Sequence, residues 1–191
     1  MAMSTMKSVV LSSRSIPLLL PLGRRSNNPP VFVSSISTDS SSVAEKLLAA
    51  VHLRPGDVMV QNEADSDLGR AVIRTAKERG ITTINILANK PGAVEQIEIL
   101  KRMGGDIVVT ESYTNTWYMK RLLSDLPKPS VGLNSSEGSQ ATAVAKLLKE
   151  GATFLTHGKR LPEEVAYPGA DRRCVRWAEF LKAKKLTAKT F

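Results

Sequence analysis

Pro55-Gly-Asp-Val-Met-Val-Gln-Asn-Glu-Ala-Asp-Ser-Asp-Leu-Gly-Arg-Ala-Val-Ile-Arg-Thr-Ala-Lys-Glu-Arg-Gly80 is the stretch that decides the fold. Asp57 to Gln61 is a short apolar run of strand type, and Leu68, Val72, Ile73 and Ala76 recur at helical spacing up to a glycine stop at Gly80. Strand, turn and helix in that order make the first crossover of a dinucleotide-binding fold, where a helix N-terminus faces a pyrophosphate. The turn itself departs from that chemistry. Ala64-Asp65-Ser66-Asp67-Leu68-Gly69 keeps the serine and the last glycine, but Asp65 and Asp67 place carboxylates where the anion would lie. Asp67 has a second reading, as the cap of a helix beginning near Leu68, favourable by about 1 kcal/mol.

The same alternation runs outward in both directions. Upstream, Val43, Leu47, Leu48 and Val51 predict an amphipathic helix from Ser42 to the Pro55-Gly56 break. Downstream, Thr82 to Leu87 is a β-branched run too short for a helix, Ala93 to Met103 is helical up to Gly104-Gly105, and Asp106 to Thr110 is a third strand. A helix near Thr116 to Leu123, a strand at Ser130 to Leu133, a helix from Gln140 to Lys149 and a strand at Ala152 to Thr156 follow. Arg173 to Lys184 is helical, and Leu186 to Phe191 is a sixth strand at the sheet edge. Alternating strands and helices imply an α/β fold: a single doubly wound parallel sheet of Rossmann type with about six strands, over residues 43–191. Its crevice lies at the carboxyl ends of the strands, which names Asn62 to Gly69, Ala88 to Lys90, Thr110-Glu111, Asn134 to Gly138 and His157-Gly158.

Residues 1–42 are of another character. Met1 to Thr38 holds Lys7, Arg14, Arg24 and Arg25 without an acid, is rich in serine, and contains the proline-broken apolar run Ile16 to Leu22. That composition suits an organelle transit peptide, mitochondrial or plastid, or a disordered leader. A membrane span needs about 20 continuous apolar residues, and no such run occurs. With 191 residues, one cysteine (Cys174) and two histidines (His52 and His157), the chain has no internal disulfide framework and no cysteine-based zinc site, and no metal is expected. The net charge of +9 sits mostly at the two ends and attracts anionic partners. Base reading is not indicated, because no basic cluster is interleaved with aromatics.

Several spaced motifs carry a resemblance: Leu53-Arg-Pro-Gly-Asp57 leading to Val60-Gln-Asn62, Thr83-Ile-Asn85, Leu100-Lys-Arg-Met-Gly-Gly-Asp106, and Leu126-Pro-Lys-Pro129 before Gly132-Leu-Asn134. Gly151-Ala-Thr-Phe-Leu-Thr-His-Gly158 and Phe180-Leu-Lys-Ala-Lys-Lys-Leu186 continue it. In these residues the chain resembles the mitochondrial 2-enoyl thioester reductases, medium-chain reductases that use NADPH to saturate acyl carriers in organellar fatty acid synthesis. The resemblance covers the cofactor-binding domain only. It implies NADPH as the candidate cofactor, with Asn62, Ser66, Leu68, Gly69, Lys90, Asn134 and Gly138 as a degenerate binding set. Lys90 has the alternative of a solvated surface lysine, and Asn134 and Gly138 that of turn chemistry.

The family places a substrate and catalytic domain, with a tyrosine proton donor, ahead of the helix matched by Val43 to Val51. Here the leader joins that helix directly, and Tyr113, Tyr118 and Tyr167 all fall within the cofactor-type domain. The expectation is therefore no catalytic residue and a non-catalytic accessory or structural subunit of a larger mitochondrial matrix assembly. The alternative is a fragment or split form of an active NADPH-dependent reductase, with the other half supplied by another chain. Expected partners are proteins, in a complex or a homodimer through the C-terminal edge strand, as related reductases pair edge strands. RNA or a ribonucleoprotein is a further candidate through Arg172, Arg173, Arg176, Lys182, Lys184, Lys185 and Lys189. Other side chains have two readings each: His157 as an acid or base against a turn or surface residue, Cys174 as a thiol activated by neighbouring arginines against helix packing, and Trp117-Tyr118 and Trp177 with Phe180 as helix-to-sheet core against a docking surface.

Overall fold

The computed structural model describes residues 38–158, 164–165 and 176–191, all within one compact unit, Ser35–Phe191. The leader before Thr38, together with Tyr167, Arg172, Arg173 and Cys174, lies outside the described residues. In chain order the elements are α1 (Thr38–Ala50), β1 (Val58–Gln61), α2 (Asp67–Glu78), β2 (Thr82–Leu87), α3 (Ala93–Arg102) and β3 (Ile107–Thr110), then α4 (Trp117–Ser124), β4 (Val131–Asn134), α5 (Ser139–Leu147), β5 (Thr153–Thr156), α6 (Trp177–Ala183) and β6 (Thr187–Thr190).

All six strands are parallel, in the order β3-β2-β1-β4-β5-β6. The chain winds outward from β1 through β2 to β3, then returns to lay β4 on the other side of β1. That reversal opens a crevice between the carboxyl ends of β1 and β4. Buried residues of successive strand positions face opposite sides, as period-two geometry requires. Val58, Val60, Ile84, Ile86 and Phe154 pack with Met119, Val144, Leu148, Trp177 and Phe180 from α4, α5 and α6. Met59, Leu133 and Leu155 pack on the other face with Leu47, Leu48, Val72 and Ala76 from α1 and α2. Ile73, Leu87, Leu100 and Val108 extend that second layer under α3.

The departures from the sequence expectation are local. The first helix begins at Thr38, inside the stretch read as leader. Asp39 stands in its first turn, where the helix dipole favours an acid, and packing of Ala44, Leu47 and Leu48 outweighs the weak helix propensity of the serine run. A 3-10 turn at Ser112–Asn115, not expected, leads into α4. Trp117 and Tyr118 are 63% and 66% exposed, which removes them from the core. Trp177 and Phe180 are buried there instead, with their rings edge to face at 5.7 Å. No helix among the described residues is long and apolar enough to cross a membrane.

Candidate functional site

The turn after β1 is built around a serine cap and a close backbone approach. The Ser66 hydroxyl accepts the Gly69 N–H at 3.0 Å, making Ser66 the N-cap of α2. Asp67 is therefore not the cap; it is the first helical residue, exposed, where its charge complements the dipole. A Cβ on Gly69 would stand 2.6 Å from the Ala64 Cα and 2.6 Å from the Glu63 carbonyl oxygen, so only glycine lets the helix meet its own turn. Beneath it, the Gln61 Nε2 donates to the Gly69 carbonyl at 3.0 Å and to the Asn85 Oδ1 at 2.8 Å. The Asn85 Nδ2 in turn donates to the Thr83 hydroxyl and to the Ile107 carbonyl. These amides are fully buried, and they lock the turn onto β2 and β3.

Two loops separated by 25 residues then meet above this network. The Lys90 Nζ donates to the Asp65 Oδ2 at 2.5 Å, joining the turn after β1 to the loop after β2. The Asp65 side chain is only 16% exposed, so this carboxylate is held against the protein. Lys90, read as a phosphate contact or a solvated lysine, is an exposed residue that pairs with an acid of the same chain.

A second tie crosses the switch point. The buried Asn62 Nδ2 donates to the Asn134 Oδ1 at 2.6 Å and to the Ser136 hydroxyl at 3.0 Å, while its Oδ1 accepts the Ser135 N–H at 2.7 Å. Asn62 and Asn134 are brought together by one hydrogen bond, and Ser135 and Ser136 take up the rest of the Asn62 amide. The remaining Asn134 Nδ2 and the Thr156 hydroxyl, register partners at the ends of β4 and β5, are buried polar atoms with no hydrogen-bond partner among the described residues. Gly138 begins α5 at φ 67° and ψ −132°, a conformation that glycine alone adopts readily. Leu68 packs half-buried against the α1–α2 layer. His157 donates its backbone N–H to the Asn134 carbonyl at 2.9 Å and is half-buried.

The set read from sequence is thus split. Ser66 and Gly69 form one cap, Lys90 pairs with Asp65, and Asn62 with Asn134 makes a clamp. Sequence reasoning covered Ser136 only as part of the crevice loop Asn134 to Gly138, and did not find Gln61, Asn85 or Thr156 as parts of this region. A buried amide in an otherwise apolar strand is the signal for Gln61 and Asn85, since such a group needs a partner.

A dinucleotide fits this arrangement poorly at its phosphate half. One N-terminal N–H of α2 is already taken by Ser66, and Asp65 both adds negative charge and occupies the cation nearest the second loop. The other half retains donor and acceptor capacity in Asn134 and Thr156. Among the described residues, no group of three His, Cys, Asp or Glu side chains could hold a metal ion.

No model of a protein family matches the chain. Among curated proteins, the mitochondrial enoyl-acyl-carrier-protein reductase of Dictyostelium discoideum is 38% identical over 143 residues, covering 75% of this chain and 41% of that protein. Its counterpart from Arabidopsis thaliana is 39% identical over 130 residues, 68% of this chain and 35% of that protein. The chain is a homologue of the mitochondrial enoyl-acyl-carrier-protein reductases. It spans about two fifths of the length of these relatives. A solved mitochondrial 2-enoyl thioester reductase heterodimer from Candida tropicalis superposes with a TM-score of 0.64 at 22% identity, covering 82% of this homologue and 42% of that chain. A structure of one of its subunits bound to NADP and crotonyl-CoA gives 0.65 at 24% identity, over the same shares. At these identities the structural likeness speaks for the fold, which is the doubly wound sheet expected from the sequence.

Proposed function

We propose that this chain is a mitochondrial Rossmann domain of the enoyl thioester reductase family that serves as a non-catalytic accessory or structural subunit of a larger matrix assembly. The ion pair between Asp65 and Lys90 carries this reading. A reductase of this kind needs cations and backbone donors turned toward a polyphosphate. Here the cation of the second loop is turned toward a carboxylate of the first. Reduction of an enoyl thioester also needs a hydride donor, an acyl group and a proton source held in one geometry. The described crevice residues offer a capped helix, a buried amide clamp and an ion pair, which are positioning features without a proton donor in a paired arrangement. The mitochondrial assignment rests on the names of the relatives and on the acid-free, serine- and arginine-containing leader.

A protein partner is the second part of the proposal. The edge strand β6 is exposed along all four residues and, among the described residues, ends the sheet, which suits its outer side to strand addition. The related reductase from Candida tropicalis is a heterodimer, which supports pairing with another chain. Contact with a ribonucleoprotein through the basic end rests on charge alone, and Arg172 and Arg173 of that cluster lie outside the described residues. Native mass spectrometry of mitochondrial extracts tests the accessory reading. The chain is expected within an assembly of several subunits, and a free monomer that turns over enoyl thioester would contradict it.

A second reading is favoured by one observation, the unpartnered Asn134 Nδ2 and Thr156 hydroxyl at the ends of β4 and β5. These groups suit a polar ligand entering the crevice from the β4 side, as in a split reductase whose catalytic half is another chain. In that case NADPH binds to the isolated domain, and calorimetric titration with NADPH separates the two.

A further inference from the structure

Among the described residues, β3 ends the sheet on the side opposite β6. A groove of about 360 Å³ runs along it, lined by the strand itself, by Ile97 and Lys101 of α3, and by Tyr113 and Leu122 on the other face. Edge strands are ordinarily blunted by charge, proline or a bulge. Ile107-Val-Val-Thr110 carries neither a charge nor a proline, and it pairs with β2 in unbroken register.

Exposed apolar side chains gather on this edge. Tyr113 and Leu122 stand exposed in the groove wall, and Tyr118, one turn before Leu122, shares its face of α4. Trp117 meets Tyr118 edge to face at 5.5 Å. On the other flank the exposed Val94 precedes Ile97 by three residues, which sets the two side by side on α3. Of the large apolar side chains exposed among the described residues, only Phe191 lies elsewhere. Apolar exposure on both flanks of an unblunted strand marks a protein interface.

The charges at the two ends of β3 select the occupant. Lys101 lines the groove at the amino end of the strand, and Glu111 follows its carboxyl end. Lys101 has Glu98 at 3.5 Å, an exposed pair one turn apart that contributes little. Asp106, also at the amino end, is turned toward β2, where it accepts the Thr83 N–H at 2.8 Å and has Lys77 at 3.8 Å. An antiparallel strand of the same sequence sets Lys101 of each copy beside Glu111 of the other, which is the self-complementarity a twofold axis requires. The same operation lays α4 against α4, so that Tyr118 and Leu122 of one copy face those of its mate.

We propose that the β3 edge is the contact of a twofold dimer of this chain. Specific interfaces bury at least about 1,200 Å² in total, more than a four-residue strand supplies, so the α3 and α4 flanks carry the contact and backbone pairing sets its direction. This edge is separate from the crevice and from β6, and it does not depend on the accessory reading. Sedimentation velocity of the full chain across the micromolar range tests it, and a reversible dimer is expected. Tyr118→Asp combined with Leu122→Glu should weaken the dimer at least about tenfold. Both side chains are exposed, so the circular dichroism should not change. Lys101→Glu and Glu111→Lys should each weaken it by setting like charges together. An equimolar mixture of these two single variants should restore it, because every pair across the axis then has opposite signs. A monomer throughout, a dimer indifferent to the Tyr118 and Leu122 substitutions, or charge variants that associate no better mixed than alone would overturn the proposal.

Discussion

The Asn62 Nδ2 and the Asn134 Oδ1 meet at 2.6 Å, which ties the ends of β1 and β4 together where the winding of the sheet reverses. Both residues are buried, and Asn62 has a second donor bond to Ser136 and an acceptor bond from Ser135. Removing a buried partner costs the desolvation of whatever is left unpaired, about 1–3 kcal/mol. Asn62→Ala should therefore lower unfolding free energy by about 1–3 kcal/mol in urea titrations. A change within experimental error would show that the clamp contributes nothing to the fold.

Gly69→Ala separates helix propensity from packing. In an exposed helix interior the substitution stabilises by about 1 kcal/mol. At this position the new Cβ would lie 2.6–2.7 Å from the backbone of Glu63 and Ala64, which cannot rotate out of the way. The sign should reverse, to a loss of about 1–3 kcal/mol by overpacking. Thermal unfolding reads it directly, and a higher melting temperature would refute the close approach.

Asp65→Ser addresses function more than stability. Lys90 is half exposed, and ion pairs in such settings contribute about 0–1 kcal/mol. The variant should melt within a few degrees of the wild type. Its affinity for NADPH should rise at least tenfold, because the substitution removes a negative charge from the turn and releases Lys90. Equal affinity in the two proteins would mean that the pair is not what closes the site.

Lys184 predicts a pH dependence of stability. Its folded pKa is lowered, first by burial and then by Lys128 and Lys146, while the unfolded chain keeps the ordinary 10.5. Between the lowered value and 10.5 the unfolded state binds more protons, so stability rises with pH through that window. Lys128→Gln removes one repelling charge, should raise the Lys184 pKa and should flatten the rise. Side-chain NMR titration of Lys184 measures this; a pKa unmoved in the variant would show that Lys128 does not act on it.

The fold was legible because the inner strands carry short apolar runs and α2 and α3 end on glycine stops. Thr82–Leu87 is bounded by sequence alone, and Gly80 and Gly104 punctuate α2 and α3 with positive φ as such stops do. Where the outcome turned on contacts distant in sequence, it was not legible. The start of α1 at Thr38 depends on a face buried against α2, which a serine-rich stretch does not announce. The cap fell to Ser66 and not Asp67 because the close approach at Gly69 brings its N–H to that hydroxyl. In the site, Asp65 and Lys90 were each recognisable as charged crevice residues, but their pairing required the loops after β1 and β2 to be laid side by side. Asn62 and Asn134 were read as ligand contacts for the same reason: 72 residues separate them, and only the sheet order makes them neighbours.

Calorimetric titration of the purified chain with NADPH is the most direct test of the account. With Lys90 held by Asp65 and the cap of α2 closed by Ser66, no saturable heat is expected up to millimolar cofactor. Micromolar binding, lost on Lys90→Ala or Ser66→Ala, would contradict it and would return this domain to the cofactor-binding reductases.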